Sequence, residues 1–462
     1  MLTLRPYQSD LIAQARATLR AGCRRLLLHS ATGSGKTCLA AHMLASAAAR
    51  GKRAWFIVHR KELLEQSVQT FVTAADIHTG IIAAGYPADP SAPVQVCSVQ
   101  SLRKRMSALA PPDLLVWDEC HHVPSRSWSD IAATLRGAHQ LGLTATPQRL
   151  DGKGLGGYFD ALLLGPTVQE LIQAGYLSDY RLFAPGMLDA SHLHKTAGDF
   201  NRAEVSTAMQ SSTVVGDAVA TYQRHAEHGR ALVFVWSLDA SRALADAFQR
   251  AGIAAAHVDG ETDPAERRRA MAAFRAGDLR VLCNVELFGE GLDVPSVDAV
   301  FLLRPTDSLG LYLQQCGRGL RPARGKSHVR IFDHVGNWTR HGLPDDARQW
   351  FLEGATREKK KSLSARRCPR CFAVSRMGAL VCAACGLPFP GKPRKVTQVD
   401  GALVEADLSA LRELALEEEH GCRSLHDWQE LARKRGFKSG WAWHRWQARN
   451  QRRSAILAGA SQ

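Results

Sequence analysis

The stretch Ser30-Ala31-Thr32-Gly33-Ser34-Gly35-Lys36-Thr37 decides the fold of this chain. It lies between an apolar run, Arg25–His29, and an alanine-rich segment, 36–50. A glycine-rich loop between a strand and a helix points backbone N–H groups at phosphate oxygens, aided by the helix N-terminus. The sequence therefore predicts a phosphate-binding loop in an α/β domain.

This loop predicts ATP and Mg²⁺ as ligands. Lys36 would reach the β- and γ-phosphates, and the Thr37 hydroxyl would ligate Mg²⁺. The usual pattern has glycine at the position of Ser30, but the rest of the pattern is intact. The residues expected to contact ATP in this loop are Thr32, Gly33, Ser34, Gly35, Lys36 and Thr37.

A pair of carboxylates, Asp118 and Glu119, follows the apolar run 114–117. Ligands of open α/β sheets bind at the carboxyl ends of the strands, where these side chains would lie. We expect Asp118 to hold Mg²⁺ through a water. Glu119 is expected to orient and deprotonate the attacking water.

Two arginines close the list of candidate catalytic residues. Arg318 and Arg321 are three residues apart, and therefore lie on one face of a helix. Guanidinium groups from a second domain stabilise the charge that develops on a γ-phosphate. Gln314 lies one turn earlier and is expected to hydrogen-bond the same phosphate or the water.

Short apolar runs alternate with helical patterns twice along the chain. Runs that are apolar throughout and separated by helices are typical of a parallel sheet covered on both faces. The sequence therefore predicts two α/β domains in tandem. The first set of predicted strands is 25–29, 54–58, 94–98, 114–117 and 141–144, and the second is 231–236, 254–258, 281–284, 299–303 and 329–332.

The 462 residues are too many for one ordinary core, and their formal net charge is +15. Such a charge favours a polyanionic partner, either nucleic acid or an anionic membrane surface. The chain has no apolar run of about 18 residues and no signal-peptide pattern at its start. We therefore expect a cytoplasmic, nucleoid-associated protein with nucleic acid and no membrane as its partner. Seven scattered cysteines fit free thiols in a reducing compartment.

Four further cysteines form two C-x-x-C pairs at a spacing that suits a structural zinc ribbon. Disulfides and an iron–sulfur cluster are the alternatives. No additional group suggests an open catalytic position, so the expected role of Zn²⁺ is structural. The neighbouring arginines favour contact with DNA, and a protein-docking or purely structural role is the alternative. The predicted ligands are Cys368, Cys371, Cys382 and Cys385.

The end of the chain is basic and rich in tryptophan. Basic groups bind phosphates, and aromatic rings stack on unpaired bases, so Trp441 and Arg445 are candidate nucleic-acid contacts. Trp443 and Trp446 are nevertheless three residues apart, as core residues of a small helical module would be. Both interpretations of this segment stay open.

Several further segments resemble motifs of the superfamily 2 helicases and translocases, in the same order along residues 2–340. They are Arg5-Pro6-Tyr7-Gln8, His59-Arg60-Lys61-Glu62-Leu63, Ser98-Val99-Gln100-Ser101-Leu102, Thr144-Ala145-Thr146-Pro147 and Gly289-Glu290-Gly291-Leu292-Asp293-Val294-Pro295. The resemblance implies two tandem RecA-like domains with ATP in the cleft between them.

The resemblance also implies roles for individual residues. Gln8 would read the edge of the adenine and Arg5 would stack on its ring. Gly291 and Asp293 would touch ATP, Thr144 and Thr146 would couple hydrolysis to domain movement, and His121 would link the two domains through a hydrogen bond. The implied nucleic-acid contacts are Arg60, Gln100 and Ser237.

Shifts in pattern and composition along the chain, together with this resemblance, predict the boundaries of the domains. They are 1–185 for the first RecA-like domain, 186–212 for a linker, 213–345 for the second RecA-like domain, 346–366 for a basic linker, 367–390 for the zinc ribbon and 391–462 for a helical, basic module.

Within this superfamily, the chain looks most like bacterial RadD-type DNA-repair helicases and related phage-encoded helicases. The segments that carry this likeness are 144–150 and 317–321, with a cysteine module soon after them. The resemblance implies an ATP-dependent DNA helicase or translocase, with a single-strand-binding protein or a nuclease as a further partner. An RNA helicase is one alternative, and an ATP-switched DNA-binding protein that remodels a partner without unwinding is another.

Overall fold

The computed structural model describes residues 3–59, 61–149, 152–184, 188–196, 198–210, 214–226, 228–285, 297–354, 365–389, 408–437, 440–447 and 449. The chain divides into two compact units, 1–391 and 392–462. The first unit contains two parallel sheets, here called lobe 1 and lobe 2 with their helices, and a small cysteine module, 365–389.

Lobe 1 is built on a seven-stranded parallel sheet in the order β3-β4-β2-β5-β6-β1-β7. The strands are β1 (Arg25–His29), β2 (Ala54–Val58), β3 (Thr79–Ile82), β4 (Val94–Ser98), β5 (Leu114–Asp118), β6 (His139–Thr144) and β7 (Ala161–Leu164). The helices are α1 (Pro6–Arg20), α2 (Lys36–Ala48), α3 (Lys61–Ala75), α4 (Val99–Arg105), α5 (Arg126–Thr134) and α6 (Val168–Gln173).

The central strands of lobe 1 are apolar throughout because both faces of the sheet are buried. Successive side chains of a strand point to opposite faces. Leu26 and Leu28 accordingly pack into one core cluster and Leu27 into another. The same alternation places Phe56 and Trp55 on opposite faces.

Lobe 2 has a six-stranded parallel sheet in the order β12-β13-β11-β14-β15-β8. Its strands are β8 (Asp179–Phe183), β11 (Ala231–Phe234), β12 (Ala255–His257), β13 (Val281–Asn284), β14 (Ala299–Leu302) and β15 (His328–Asp333), and β9 (Lys195–Thr196) and β10 (Asp199–Phe200) form a short hairpin. The helices are α7 (Arg202–Gln210), α8 (Val214–His225), α9 (Leu238–Arg250), α10 (Pro264–Ala276), α11 (Leu309–Gly319) and α12 (Asn337–His341).

The structure confirms the predicted class of two parallel-sheet α/β domains and adds three strands, β3, β7 and β8, to these two sheets. β3 and β7 are edge strands of only four residues each. β3 begins with Thr79 and Gly80, and β7 is apolar but only partly buried. β8 lies within the predicted first domain, 1–185, but pairs with β15 at the edge of the second sheet. The predicted linker, 186–212, contains α7 and the hairpin, whose few apolar side chains pack into the core of lobe 2.

A segment after α12, residues 344–354 and here called the strap, returns from lobe 2 to lobe 1. Leu352 packs beside the lobe 1 core, and its carbonyl accepts a hydrogen bond from the Gly156 N–H at 2.8 Å. The Trp350 ring lies 5.6 Å from the His29 ring, at the end of β1. The strap therefore adds non-covalent contacts between the lobes to the covalent connection that leads into β8.

The cysteine module contains the antiparallel strands β16 (Ala365–Arg367) and β17 (Val374–Arg376). It docks on the edge of the lobe 2 sheet, where the Ala184 N–H donates to the Phe372 carbonyl at 2.9 Å. Arg376 pairs with two carboxylates of the strap, Asp345 at 2.7 Å and Asp346 at 3.1 Å.

The second unit contains the helices α13 (Leu408–Gly421) and α14 (Leu425–Lys434). Its small core consists of Cys422, Trp428, Leu431, Ala432 and Ala442, with Trp441 and Trp446 packed against it. Among the described residues of both units, no helix has the length and apolar character needed to cross a membrane.

Candidate active site

The glycine-rich loop leads from β1 into α2, as the sequence predicts. Gly33 and Gly35 have φ angles of 84° and 86°, in the left-handed region that favours glycine. The Ser30 hydroxyl lies 2.6 Å from the Ser34 hydroxyl, and the Ser34 hydroxyl donates to the Ala31 carbonyl at 2.6 Å. The buried Ser30 side chain therefore stabilises the loop through its hydrogen bond with Ser34. This contact gives a structural reason for serine at a position where the usual pattern has glycine.

The loop lysine is held by the second carboxylate of the Asp118-Glu119 pair. Lys36 Nζ lies 3.3 Å from Glu119 Oε1, and both carboxylates are buried at the carboxyl end of β5. Glu119 has a φ of 48°, a conformation that is costly for a residue with a Cβ atom. The turn after β5 is therefore held in a strained conformation that aims Glu119 at the phosphate-binding loop.

A series of close polar contacts leads from Glu119 towards lobe 2. His121 Nδ1 lies 3.5 Å from Glu119 Oε2 and 3.1 Å from Thr144 Oγ1. Thr144 Oγ1 in turn donates to the Thr146 carbonyl at 3.0 Å. Glu119 and Thr144 both belong to lobe 1, so these two contacts of His121 lie within one lobe, whereas the sequence predicted a bond between the domains.

Helix α11 brings lobe 2 against this path and against the loop. A methyl group added at Gly310 would lie 3.1 Å from Thr146 Oγ1, and one added at Gly317 would lie 2.5 Å from the Thr32 Cβ atom. The two glycines are seven residues apart, two helical turns, and so face lobe 1 together. The lobes meet closely at both points.

The same helix positions the predicted arginines. Gln314 and Arg318 are buried on α11, and the Arg321 side chain passes 3.8 Å from a methyl group added at Gly33. Lys326 Nζ donates to the Gly319 carbonyl at 2.5 Å and to the Arg321 carbonyl at 3.0 Å. An ammonium group thus caps the carboxyl end of α11. Arg318 lies on this helix, whereas Arg321 lies beyond its end, so the prediction that both arginines share one helical face is wrong.

Burial lowers the pKa of the Lys326 ammonium to about 8, with the nearby Arg230 acting in the same direction and Asp298 acting against it. Nothing in the sequence around Lys326 marks it as part of the site, because its partners are backbone carbonyls.

The segment that connects the lobes, Tyr176–Ser178, contacts Arg5, the phosphate-binding loop and the end of α11. Arg5 donates to the Tyr176 carbonyl at 3.4 Å, and its guanidinium lies 4.9 Å from the Tyr176 ring. A methyl group added at Gly33 would lie 3.0 Å from Leu177 Cδ2. The Ser178 N–H donates to the Leu320 carbonyl at 2.8 Å. Sequence analysis missed this segment because it has no motif of its own.

Gln8 has structural partners in addition to its predicted base contact. Its Oε1 accepts from the Arg5 N–H at 3.0 Å, and its Nε2 donates to the Ser34 carbonyl at 3.1 Å. The Tyr7 hydroxyl donates to the same carbonyl at 2.5 Å. The start of α1 is therefore fastened to the phosphate-binding loop, beside Arg5.

The predicted nucleic-acid contacts are less completely described. Arg60, and the ATP contacts Gly291 and Asp293, lie outside the described residues. Gln100 is exposed in the first turn of α4, and the Ser237 hydroxyl accepts from the Ala240 N–H at 3.2 Å, where it caps α9. Thr37 is partly buried in the first turn of α2, on the same edge of the sheet as Asp118.

The C-terminal tryptophans divide into packed and exposed residues. The Trp441 ring lies 5.7 Å from Trp428 and 4.8 Å from Phe437, whereas Trp443 is 45% exposed. Arg445 lies over the Trp441 ring at 5.7 Å and 3.7 Å from Glu419. This geometry favours a structural role for Trp441 and leaves Trp443 accessible to a base.

The four predicted zinc ligands come together in the cysteine module, with all four sulfurs within 4.8 Å of one another. The Cys368–Cys385 and Cys371–Cys382 sulfurs are 3.7 Å and 3.6 Å apart. These separations exceed a disulfide bond of about 2.05 Å. They match the edge of a tetrahedron with metal–sulfur bonds of about 2.3 Å, which is about 3.8 Å.

Two family models match the chain. The model described as the res subunit of type III restriction enzymes covers residues 1–149, and that of the helicase conserved C-terminal domain covers residues 214–323. These are the segments that contain the loop, the carboxylates and the arginines. The two models thus match the parts of the two lobes that face the cleft.

Curated relatives resemble most of this chain. A "51.5 kDa protein" of a Lactococcus phage (isolate 7-9) is 36% identical over 79% of this chain and 78% of its own length. The Saccharomyces cerevisiae protein named "Putative ATP-dependent helicase IRC3" is 28% identical over 72% of this chain and 51% of its own length, so this chain spans about half of it. The "DNA 3'-5' translocase XPB2" of Sulfurisphaera tokodaii is 24% identical over 69% of this chain and 79% of its own length.

Among solved structures, a fragment described as a "putative HsdR subunit of a type I restriction enzyme" from Vibrio vulnificus shares the fold. Its TM-score is 0.60 at 22% sequence identity, with 75% of this chain and 67% of that chain covered. The comparisons identify a helicase family and do not single out the RadD-type enzymes within it.

Proposed function

Since this chain belongs to the superfamily 2 helicases and is an ATPase of that family, we propose that it is an ATP-driven motor that moves along DNA. The observation that carries the proposal is the contact of α11 with the phosphate-binding loop at Gly317 and Thr32. A nucleotide bound at that loop acts on both lobes, so that its binding and hydrolysis change how they fit together.

ATP would bind with its phosphates at the N-terminus of α2 and its base beside Arg5 and the start of α1. Mg²⁺, held by Thr37 and through water by Asp118, would neutralise the charge on the phosphates. Arg318 and Arg321 would bring positive charge from lobe 2 to the γ-phosphate.

Lys36 and Glu119 are in contact within the proposed site, with Lys36 Nζ 3.3 Å from Glu119 Oε1. Triphosphate oxygens that bind Lys36 would compete with Glu119 for the ammonium group. Glu119 would then orient and deprotonate the attacking water.

The path from Glu119 through His121, Thr144 and Thr146 ends at Gly310 of α11. Loss of the γ-phosphate would change the position of Glu119, and this path offers a physical route for that change to reach lobe 2. Movement along a strand then requires that the two nucleotide states bind the strand with different affinity.

DNA is the favoured track for three reasons. The chain carries a net charge of +15. A relative that matches 69% of this chain is named as a DNA translocase. The motifs resemble DNA-repair helicases. A role in DNA repair, recombination or phage DNA metabolism, with a single-strand-binding protein or nuclease as partner, extends this proposal.

We also propose that the cysteine module holds structural Zn²⁺. The two sulfur separations fit a tetrahedral site, and a segment of 25 residues has too little core to fold unaided. Although burial acts in the opposite direction, hydrogen bonds from the backbone N–H groups of Cys371 and Arg370 and from neighbouring thiols lower the pKa of the Cys368 thiol, whereas burial raises the pKa of the Cys371 thiol.

The arginines of this module are mostly committed to contacts within the protein. Arg376 pairs with the strap, and Arg367 donates to the Ala184 carbonyl at 3.1 Å. Arg366 lies over the Phe389 ring at 3.9 Å. These contacts favour a structural element that braces lobe 2 and the strap over a DNA-binding surface.

ATP hydrolysis measured with no polymer, single-stranded DNA, duplex DNA and RNA tests the proposed function. Stimulation by DNA, abolished in Lys36→Ala and Glu119→Gln, is the expected result. Stimulation by RNA alone would make the protein an RNA helicase. A rate that no polymer changes would exclude the motor and leave the ATP-switched accessory protein.

A further inference from the structure

Three histidine rings form a continuous series in lobe 1. His121 and His122 have ring centroids 4.3 Å apart, and those of His122 and His59 are 5.0 Å apart. These are contact distances for aromatic rings. The series begins beside the catalytic carboxylate, because His121 Nδ1 lies 3.5 Å from Glu119 Oε2. It ends at His59, directly after β2.

The two ends of the series belong to different parts of the proposed mechanism. Glu119 is the base for hydrolysis. His59 opens the segment 59–63, which the sequence predicts to contact the backbone of the nucleic acid. The middle ring, His122, contacts both of its neighbours in the series, and the sequence predicts no role for it.

His122 packs its ring against the core of lobe 1. Its ring lies 5.8 Å from the Trp128 ring, which stacks on the buried Trp117 at 5.4 Å. His122 itself remains partly exposed. His122 is therefore packed on the core of lobe 1. One neighbouring ring, His59, belongs to the segment predicted to contact nucleic acid, and the other, His121, lies beside Glu119.

We propose that His122 is a positioning residue that couples strand binding at His59 to the orientation of Glu119, by way of His121. The inference rests on the proposed function. A strand that displaces His59 must displace or repack the His122 ring, because the two are in contact. His121 follows, and with it one of the groups that hold Glu119. A misplacement of about 1 Å at a catalytic group changes the rate by up to about a hundredfold.

ATP hydrolysis with and without saturating single-stranded DNA tests this proposal in His122→Ala, His122→Phe and His139→Ala. His139 opens β6, at the opposite end of the parallel sheet, and controls for the loss of a histidine ring from lobe 1. In His122→Ala, we expect the ratio of stimulated to unstimulated rate to fall about tenfold. The unstimulated rate and the Kd for DNA are expected to stay within about twofold of the native values.

The phenylalanine variant keeps a ring in place and is expected to retain most of the stimulation, as is His139→Ala. An unchanged ratio in His122→Ala would overturn the proposal. So would a loss of DNA affinity, which would make His122 a direct contact, or an equal fall of both rates, which would make it structural. If the native protein is stimulated by no polymer, the proposed function itself fails, and this result is distinct from the others.

Discussion

Gly317 of lobe 2 faces Thr32 of lobe 1 so closely that a methyl group on Gly317 would lie 2.5 Å from the Thr32 Cβ atom. Atoms do not approach at that distance without a shift of the surrounding backbone. The absence of a side chain at this helical position is therefore a condition for α11 to rest on the phosphate-binding loop and to bring Arg318 and Arg321 to the nucleotide.

Gly317→Ala is expected to keep the lobes apart and to lower the DNA-stimulated kcat by about ten- to a hundredfold, because the arginines no longer reach the γ-phosphate in the right geometry. The melting temperature is expected to change little, since a helix interior tolerates alanine better than glycine.

Gly260→Ala is the matched control in the same lobe, because a methyl group there meets no atom within 4 Å. The kcat of the two variants is compared in one steady-state ATPase assay. A Gly317→Ala enzyme as active as Gly260→Ala would show that the contact of α11 with the loop is not part of the working cycle.

The contribution of Lys326, which caps α11, to the stability of the protein is expected to depend on pH. Its folded pKa of about 8 lies below the value of 10.5 for a free lysine, so between these values the unfolded chain binds more protons than the native one. The contribution of Lys326 to the free energy of unfolding therefore rises with pH across this window. At lower pH, the buried ammonium costs stability while it caps Gly319 and Arg321.

Denaturant unfolding of the native protein and of Lys326→Met at pH 7 and pH 9.5 checks this sign. The difference in unfolding free energy, native minus variant, is expected to be larger at pH 9.5. The variant is also expected to lose about tenfold in kcat at pH 7 with its KM for ATP little changed, because Arg321 is less well placed. A difference that falls with pH would contradict the burial of the ammonium.

The zinc proposal predicts about one zinc ion per chain by elemental analysis, and none in Cys382→Ser. Cys23→Ser, which changes a thiol of lobe 1 outside the cluster, is expected to keep its zinc. Because the module braces the strap through Arg376, we also expect the Cys382 variant to melt at a lower temperature. A cluster that binds iron, or a native protein purified without metal, would contradict the assignment.

Two neighbouring tryptophans of the C-terminal unit are expected to differ in what their replacement changes, DNA binding for one and stability for the other. Trp443→Ala is expected to weaken binding of single-stranded DNA about tenfold without loss of stability, because an exposed ring is free to stack on a base. Trp441→Ala is expected to cost about 2 kcal/mol of stability in this unit, because its ring packs on Trp428 and Phe437. Equal DNA affinity in both variants would exclude the unit from strand binding through Trp443.

The sequence predicts where the loop, the carboxylates and the cysteine cluster lie, because each is a local feature of the chain. Ser30–Thr37 and Asp118-Glu119 each lie on one turn between a strand and a helix, so their spacing alone places them. The cysteine pairs are likewise two short knuckles, whose spacing fits one metal.

Other parts of the site depend on tertiary contacts that leave no pattern along the chain. Lys326 acts on backbone carbonyls, and Tyr176–Ser178 touches three motifs only because the chain passes between the lobes there. The sequence does not predict that Gly317 must lack a side chain, because this requirement comes from the tertiary contact with Thr32. The sequence does not predict β8, and its pairing with β15 of lobe 2 depends on a contact between distant parts of the chain.

The most direct test of the central claim is the time that the protein takes to reach a fluorophore at the end of single-stranded DNA, measured by stopped flow on strands of increasing length. A motor predicts a lag that grows linearly with length in the presence of ATP and disappears in Glu119→Gln. A signal independent of length, with ATP still hydrolysed on DNA, would contradict translocation and establish the ATP-switched binding protein in its place.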